Sequence, residues 1–152
     1  MNAMVTKNFK KKNKKNKGFT LVELIIVIAI IAILGVILAP QYIKYVDRSR
    51  WSTDQNNMKT LLKEVQTAVV DVQEKEKDPL AAAGTPATIV VKSSGTTPTG
   101  ISNDLKDSLN EADKNWDKTK VTNKGKAAGS DKHEEYTITI AADNQVTGEW
   151  TK

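Results

Sequence analysis

The chain has no cysteine, one histidine and four prolines among its 152 residues. Without cysteine there is no disulfide framework, no thiolate metal site and no cysteine nucleophile. The single histidine, His133, stands among Asp131, Lys132, Glu134 and Glu135, with no second His or Cys to complete a metal set. It reads as an exposed surface residue. Asp131, Glu134, Glu135 and Asp143 offer carboxylates, but their spacing forms no EF-hand loop. No Gly-Lys-Ser/Thr phosphate loop, GxSxG elbow or Asn-x-Ser/Thr sequon is present. The acid pairs Asp104/Asp107 and Glu134/Glu135 lie in polar stretches, as solvated surface acids do. The sequence therefore reads as non-enzymatic and free of cofactors.

Acid is also missing from the first 18 residues, which hold seven lysines: Lys7, Lys10, Lys11, Lys12, Lys14, Lys15 and Lys17. The formal charge of +5 rests on that tail, because residues 19–152 hold 16 basic and 18 acidic residues. A basic folded domain is excluded. The mild acidity of the remainder argues against strong non-specific nucleic-acid binding.

The mean hydropathy of −0.44 suggests a soluble chain, yet residues 19–39 form an apolar run. Only Thr20 and Glu23 are polar there, and 15 of the 21 residues are Phe, Leu, Ile or Val. A helix of that length spans roughly 30 Å, the thickness of a hydrocarbon core. In lipid each backbone N–H needs an internal partner, which makes a lone span helical despite its β-branched residues. The preceding lysines place the N-terminus in the cytoplasm and the remainder outside. A buried core helix is a poor fit, because the rest of the chain is too small to enclose it. A cleaved secretory signal would have a shorter apolar region and a better cleavage context than Ala39-Pro40. Hydropathy by itself also fits a plain single-pass anchor.

Glu23 separates these readings. An acid inside a span costs on the order of 2–3 kcal/mol, against roughly −6 kcal/mol from the apolar residues, so insertion survives it. A plain anchor gains nothing from carrying it. Intramembrane acids usually have a partner, and the nearest lysine is Lys17, beyond Gly18. The partner is then either water at the lipid boundary or a group on another chain.

Lys17-Gly18-Phe19-Thr20-Leu21-Val22-Glu23-Leu24, followed by an Ile/Val/Leu run, resembles the class III signal of type IV prepilins. The resemblance covers residues 7–45. It implies cleavage between Gly18 and Phe19 by a prepilin peptidase, which also N-methylates the new amine of Phe19. That amine would pair with Glu23 of a neighbouring subunit and set axial register, a use of buried ion pairs better attested than stabilisation. It further implies an assembly ATPase, a platform membrane protein and a homopolymeric filament. Gly35 and Pro40 mark a helix kink, since Pro40 cannot donate to the Val36 carbonyl; family members often lose helix there in the filament. The leader, 18 residues from Met1 or 15 from Met4, exceeds the shortest family leaders, whereas Phe19 and Glu23 fit the short-leader class.

Four segments are expected: a cleaved leader at 1–18, a membrane and filament-core half-helix at 19–40, an amphipathic half-helix at 41–77, and a globular region at 78–152. Met58, Leu61, Leu62, Val65, Ala68, Val69 and Val72 recur at helical spacing, and Asp78-Pro79 ends the pattern. Tyr42, Tyr45 and Trp51 with Lys44, Arg48 and Arg50 read either as a membrane-interface belt or as subunit contacts. Residues 80–86 and 93–100 read as loops, the latter hydroxyl-rich with a possible modification site. Residues 88–92 read as a strand, 101–112 as a helix capped by Ser102, 120–122 as a weak strand and 124–132 as a loop. Tyr136, Ile138 and Ile140 alternate with threonines, and Val146, Gly148 and Trp150 supply the opposing strand, with the turn at Asp143-Asn144. The fold class is α+β, a long N-terminal helix packed on a small antiparallel sheet.

Three functions compete: a pilus subunit for adhesion, motility or aggregation; a pseudopilin of a secretion or DNA-uptake system; and a monomeric membrane-anchored binding module. In the first two the protein is membrane-inserted before assembly, and the pilus subunit ends at the cell surface.

Overall fold

The computed structural model describes residues 19–122 and 134–151. Contacts divide the chain into two units, residues 1–39 and residues 40–152. Helix α1, Leu21–Glu74, contains Pro40 and contributes to both. Within the first unit α1 is exposed all round, from Leu21 to Leu38.

In the second unit α1 buries one stripe. Met58, Leu61, Val65, Ala68, Val69 and Val72 return every three or four residues and form a third of the core. The helix stops at Glu74, short of the expected end at Asp78-Pro79. Glu76 takes a left-handed φ of 57°. The Lys77 amide then donates to the Val72 carbonyl at 3.1 Å, and the Glu76 amide to Gln73 at 2.9 Å. This is a Schellman closure with glutamate where glycine is usual. The signal for it was absent from the residue types, which explains the boundary error.

A four-stranded antiparallel sheet, in the order β2-β1-β3-β4, supplies another third of the core. The strands are β1 (Ala87–Lys92), β2 (Gly95–Thr99), β3 (Glu135–Ile140) and β4 (Val146–Thr151). Ala87, Ile89 and Val91 of β1 and Tyr136, Ile138 and Ile140 of β3 alternate inward. Residues 93–100, expected as a loop, instead contain edge strand β2, paired from Lys92↔Gly95 to Thr88↔Thr99. Gly95, at φ 135°, turns the chain back after Ser93-Ser94. Gly, Thr and Pro at this density resemble loop composition, and Pro98 is tolerated because β2 lies at the sheet edge.

Helix α2, Asn103–Ala112, begins at Ser102, whose hydroxyl accepts from the Leu105 amide at 3.1 Å. Its Leu105 and Leu109 enter the core. A short 3-10 turn, Trp116–Lys118, follows and buries Trp116, with the indole N–H donating to Asn110 at 3.0 Å. Residues 120–122 form no strand; the Val121 amide donates once to the Lys92 carbonyl at 3.3 Å. Residues 124–132 and His133 lie outside the described residues.

β3 and β4 form the expected hairpin, with Tyr136↔Trp150, Ile138↔Gly148 and Ile140↔Val146 in register. Asn144 adopts φ 64° at the turn, and Asp143 accepts from the Gln145 amide at 3.1 Å. A Cβ on Gly148 would meet the Tyr136 hydroxyl oxygen at 2.2 Å. Tyr136 therefore lies across Gly148 and stacks edge-on with Trp150, ring centres 5.0 Å apart. Trp150 also meets Trp51 of α1 at 4.8 Å. Trp51, grouped by sequence with Tyr42 and Tyr45, thus belongs to the packing of the folded domain.

Candidate functional site

The start of α1 is built from a four-residue signature, Thr20-Leu21-Val22-Glu23. The Glu23 amide donates to the Thr20 hydroxyl oxygen at 3.2 Å. In return Glu23 Oε2 accepts from the Thr20 amide at 2.7 Å and from the Thr20 hydroxyl at 3.0 Å. This is a reciprocal capping box, which satisfies donors that the helix itself leaves open. In lipid such donors cost several kcal/mol each when unpaired. The carboxylate also sits at the positive end of the helix dipole.

Glu23 therefore has a partner within its own chain, which the sequence reading did not consider. The signal was legible as Ser/Thr-x-x-Glu ahead of an apolar run. Glu23 remains exposed, as do Phe19 and Thr20, and Phe19 is 94% accessible. The carboxylate holds the backbone amide that directly follows Phe19, so a chain cut before Phe19 carries its new amine one residue from this cap. Gly18 lies outside the described residues.

Past the cap, the helix shows apolar side chains in every direction up to Leu38. A Cβ on Gly35 would meet nothing within 4 Å. This glycine leaves a gap in the apolar surface that another helix could approach closely. Pro40 is held inside α1. Tyr42 and Tyr45 are 67% and 73% exposed, and Lys44, Arg48, Ser49 and Arg50 are exposed as well.

Other polar groups are engaged in holding the second unit together. Asp54 is fully buried and accepts from the Thr122 amide at 3.0 and 3.1 Å and from its hydroxyl at 2.7 Å. It ties the segment after the 3-10 turn to α1 across 68 residues of sequence. Asp71 accepts from Lys75 at 2.8 Å and Ser108 at 2.9 Å, and these bonds hold its carboxyl below the usual range. Asp104 pairs with Lys77, and Glu135 with Lys92 at 3.0 Å. Among the described residues no group of three or more His, Cys, Asp or Glu is placed to hold a metal. An open cleft of about 490 Å³ lies beside α1, lined by Asn57, Thr60, Glu64, Asp113, Lys118 and Thr122, among others. Burial and the nearby Asp113 raise the Glu64 carboxyl above its ordinary value.

α1 contains a stretch long and apolar enough, by length and composition, to cross a membrane. Residues 13–39 match the family described as the prokaryotic N-terminal methylation motif, the class III signal peptide of type IV pilins. The chain thus carries that signal, and its architecture is a pilin-like α+β layout. No curated protein and no solved structure matches the chain.

Proposed function

We propose that this chain is the structural subunit of a type IV pilus, inserted in the membrane as a precursor and polymerised through its apolar helix. The observation that carries the reading is the methylation motif at residues 13–39 continuing into a helix with no buried face in the first unit. A prepilin peptidase cuts between Gly18 and Phe19 and methylates Phe19, removing all seven leader lysines from what becomes the filament core. Membrane extraction requires an assembly ATPase and a platform membrane protein. The fibre serves adhesion, surface motility or aggregation, and the chain itself catalyses nothing.

The cap refines the register argument. Glu23 is first hydrogen-bonded by Thr20, then shared with the cationic amine of Phe19 on an adjoining subunit. The exchange trades bonds that a neutral amide and hydroxyl donate to the carboxylate for an ion pair with a cationic amine. Gly35 and Pro40 provide the position at which α1 opens or bends during bundling.

Mass spectrometry of protein sheared from the cell surface tests this directly, with an N-terminal methylated Phe19 as the expected result. An intact leader, or a cut near Ala39, would refute it. Glu23→Val should leave insertion intact and abolish fibres. Immunoelectron microscopy with antibody to residues 78–152 distinguishes long surface fibres from the short assemblies of a pseudopilin.

A further inference from the structure

Directly after the apolar run, α1 carries a collar whose side chains are left open by the folded domain. Tyr42 and Tyr45 are more than two-thirds exposed, Ile43 is 59% exposed, and Lys44, Arg48 and Arg50 are exposed. Asp47, the collar's acid, is half-buried. Helical geometry puts Lys44 and Arg48 one turn apart on one side of α1 and Arg50 on the opposite side, so the cations surround the helix. The collar ends at Trp51, which turns to Trp150 and the domain.

We propose that residues 42–50 form a seat for anionic phospholipid headgroups, on which the subunit rests before it leaves the membrane. This rests on the membrane-inserted precursor described above. Tyr42 to Arg48 follow Ala39 by only three to nine residues of sequence, so a span that ends at Ala39 delivers them to the membrane boundary. The headgroup layer and the first Debye length above it begin at that boundary. Tyrosines fit the layer because the ring is apolar and the hydroxyl is wet. Basic residues at that height are attracted to anionic lipid. Three cations on the outer flank also work against the orientation set by the leader lysines. Their presence there calls for an anionic ligand, and a phospholipid surface supplies one at every point around the helix.

The test uses the full chain, whose lack of native cysteine allows single spin labels. Ile43→Cys reports the collar and Ile28→Cys the apolar run, in vesicles of phosphatidylcholine alone or mixed with phosphatidylglycerol. The Ile28 label should be shielded from a water-soluble relaxation agent in both lipids. The Ile43 label should be shielded further in the phosphatidylglycerol mixture, with the gain lost in high salt and lost in the Lys44→Gln, Arg48→Gln, Arg50→Gln triple variant. Equal exposure at Ile43 in both lipids, or a gain retained by the triple variant, overturns the proposal while leaving the inserted precursor intact. Shielding that vanishes on dilution of protein in lipid would assign the collar to a second copy and overturn it equally. A water-exposed Ile28 label would refute the inserted precursor itself.

Discussion

Ile28 and Ile138 are the same residue type under opposite conditions. Ile28 is 57% exposed in the first unit, whereas Ile138 is completely buried between α1 and the sheet in the second. The second unit satisfies its own apolar residues with a helix stripe, two inward-facing strands and α2. The first presents 15 large apolar residues in 21 with none of the described residues folded against them. The difference teaches that the second unit draws its stability from internal packing, whereas the first buries none of its described large apolar residues.

Paired substitutions sharpen this contrast most strongly. Ile138→Ala should destabilise the second unit by roughly 2–5 kcal/mol, from lost transfer energy and a cavity. Ile28→Ala should leave its melting unchanged. All three tryptophans, Trp51, Trp116 and Trp150, lie in residues 40–152. Tryptophan fluorescence of the full chain in detergent micelles therefore reads that unit alone.

Trp150→Ala removes the contacts that join the last strand to Trp51 of α1 and to Tyr136 of β3. Because Trp150 is only half-buried, the expected loss is about 2 kcal/mol, below that of a fully buried tryptophan. Trp51→Ala in the same background should add less than its own single effect, since both act through one contact.

Glu76→Gly should raise stability by roughly 1 kcal/mol, because glycine takes the left-handed position without the steric penalty of an L side chain. A lower midpoint in denaturant would contradict the Schellman closure. The smallest expected effect is at Glu64, whose carboxyl is raised by burial and by Asp113. A raised folded-state pKa means a contribution complete below the unfolded value and lost as pH rises through the folded one. Glu64→Gln should therefore stabilise slightly at neutral pH and not at all in acid. Melts at two pH values check the sign.

The same two regions differ in how far the sequence could be read. The apolar run, the amphipathic stripe, Ser102 as a cap and the last hairpin rest on local periodicity and capping, which neighbouring residues determine. β2 was missed because Gly95, Thr96, Thr97 and Pro98 have loop chemistry and form a strand only by lying against β1. The burial of Asp54 depends on Thr122, far away in the chain, so its neighbours in sequence carry no sign of it. The pairing of Thr20 with Glu23 was local and legible. It went unread because an acid in an apolar run draws attention to partners on other chains.

Pro98 has one more implication. Copies of this protein crowded together, in a membrane or a fibre, would bring their sheet margins close at high local concentration. Unprotected margins of that kind invite runaway strand-to-strand fusion between molecules. Pro98 offers no N–H to any strand that approaches β2, and Thr96 directs its hydroxyl to the Thr119 carbonyl at 2.7 Å within its own chain. At the β2 margin these two residues oppose strand addition by a neighbouring copy.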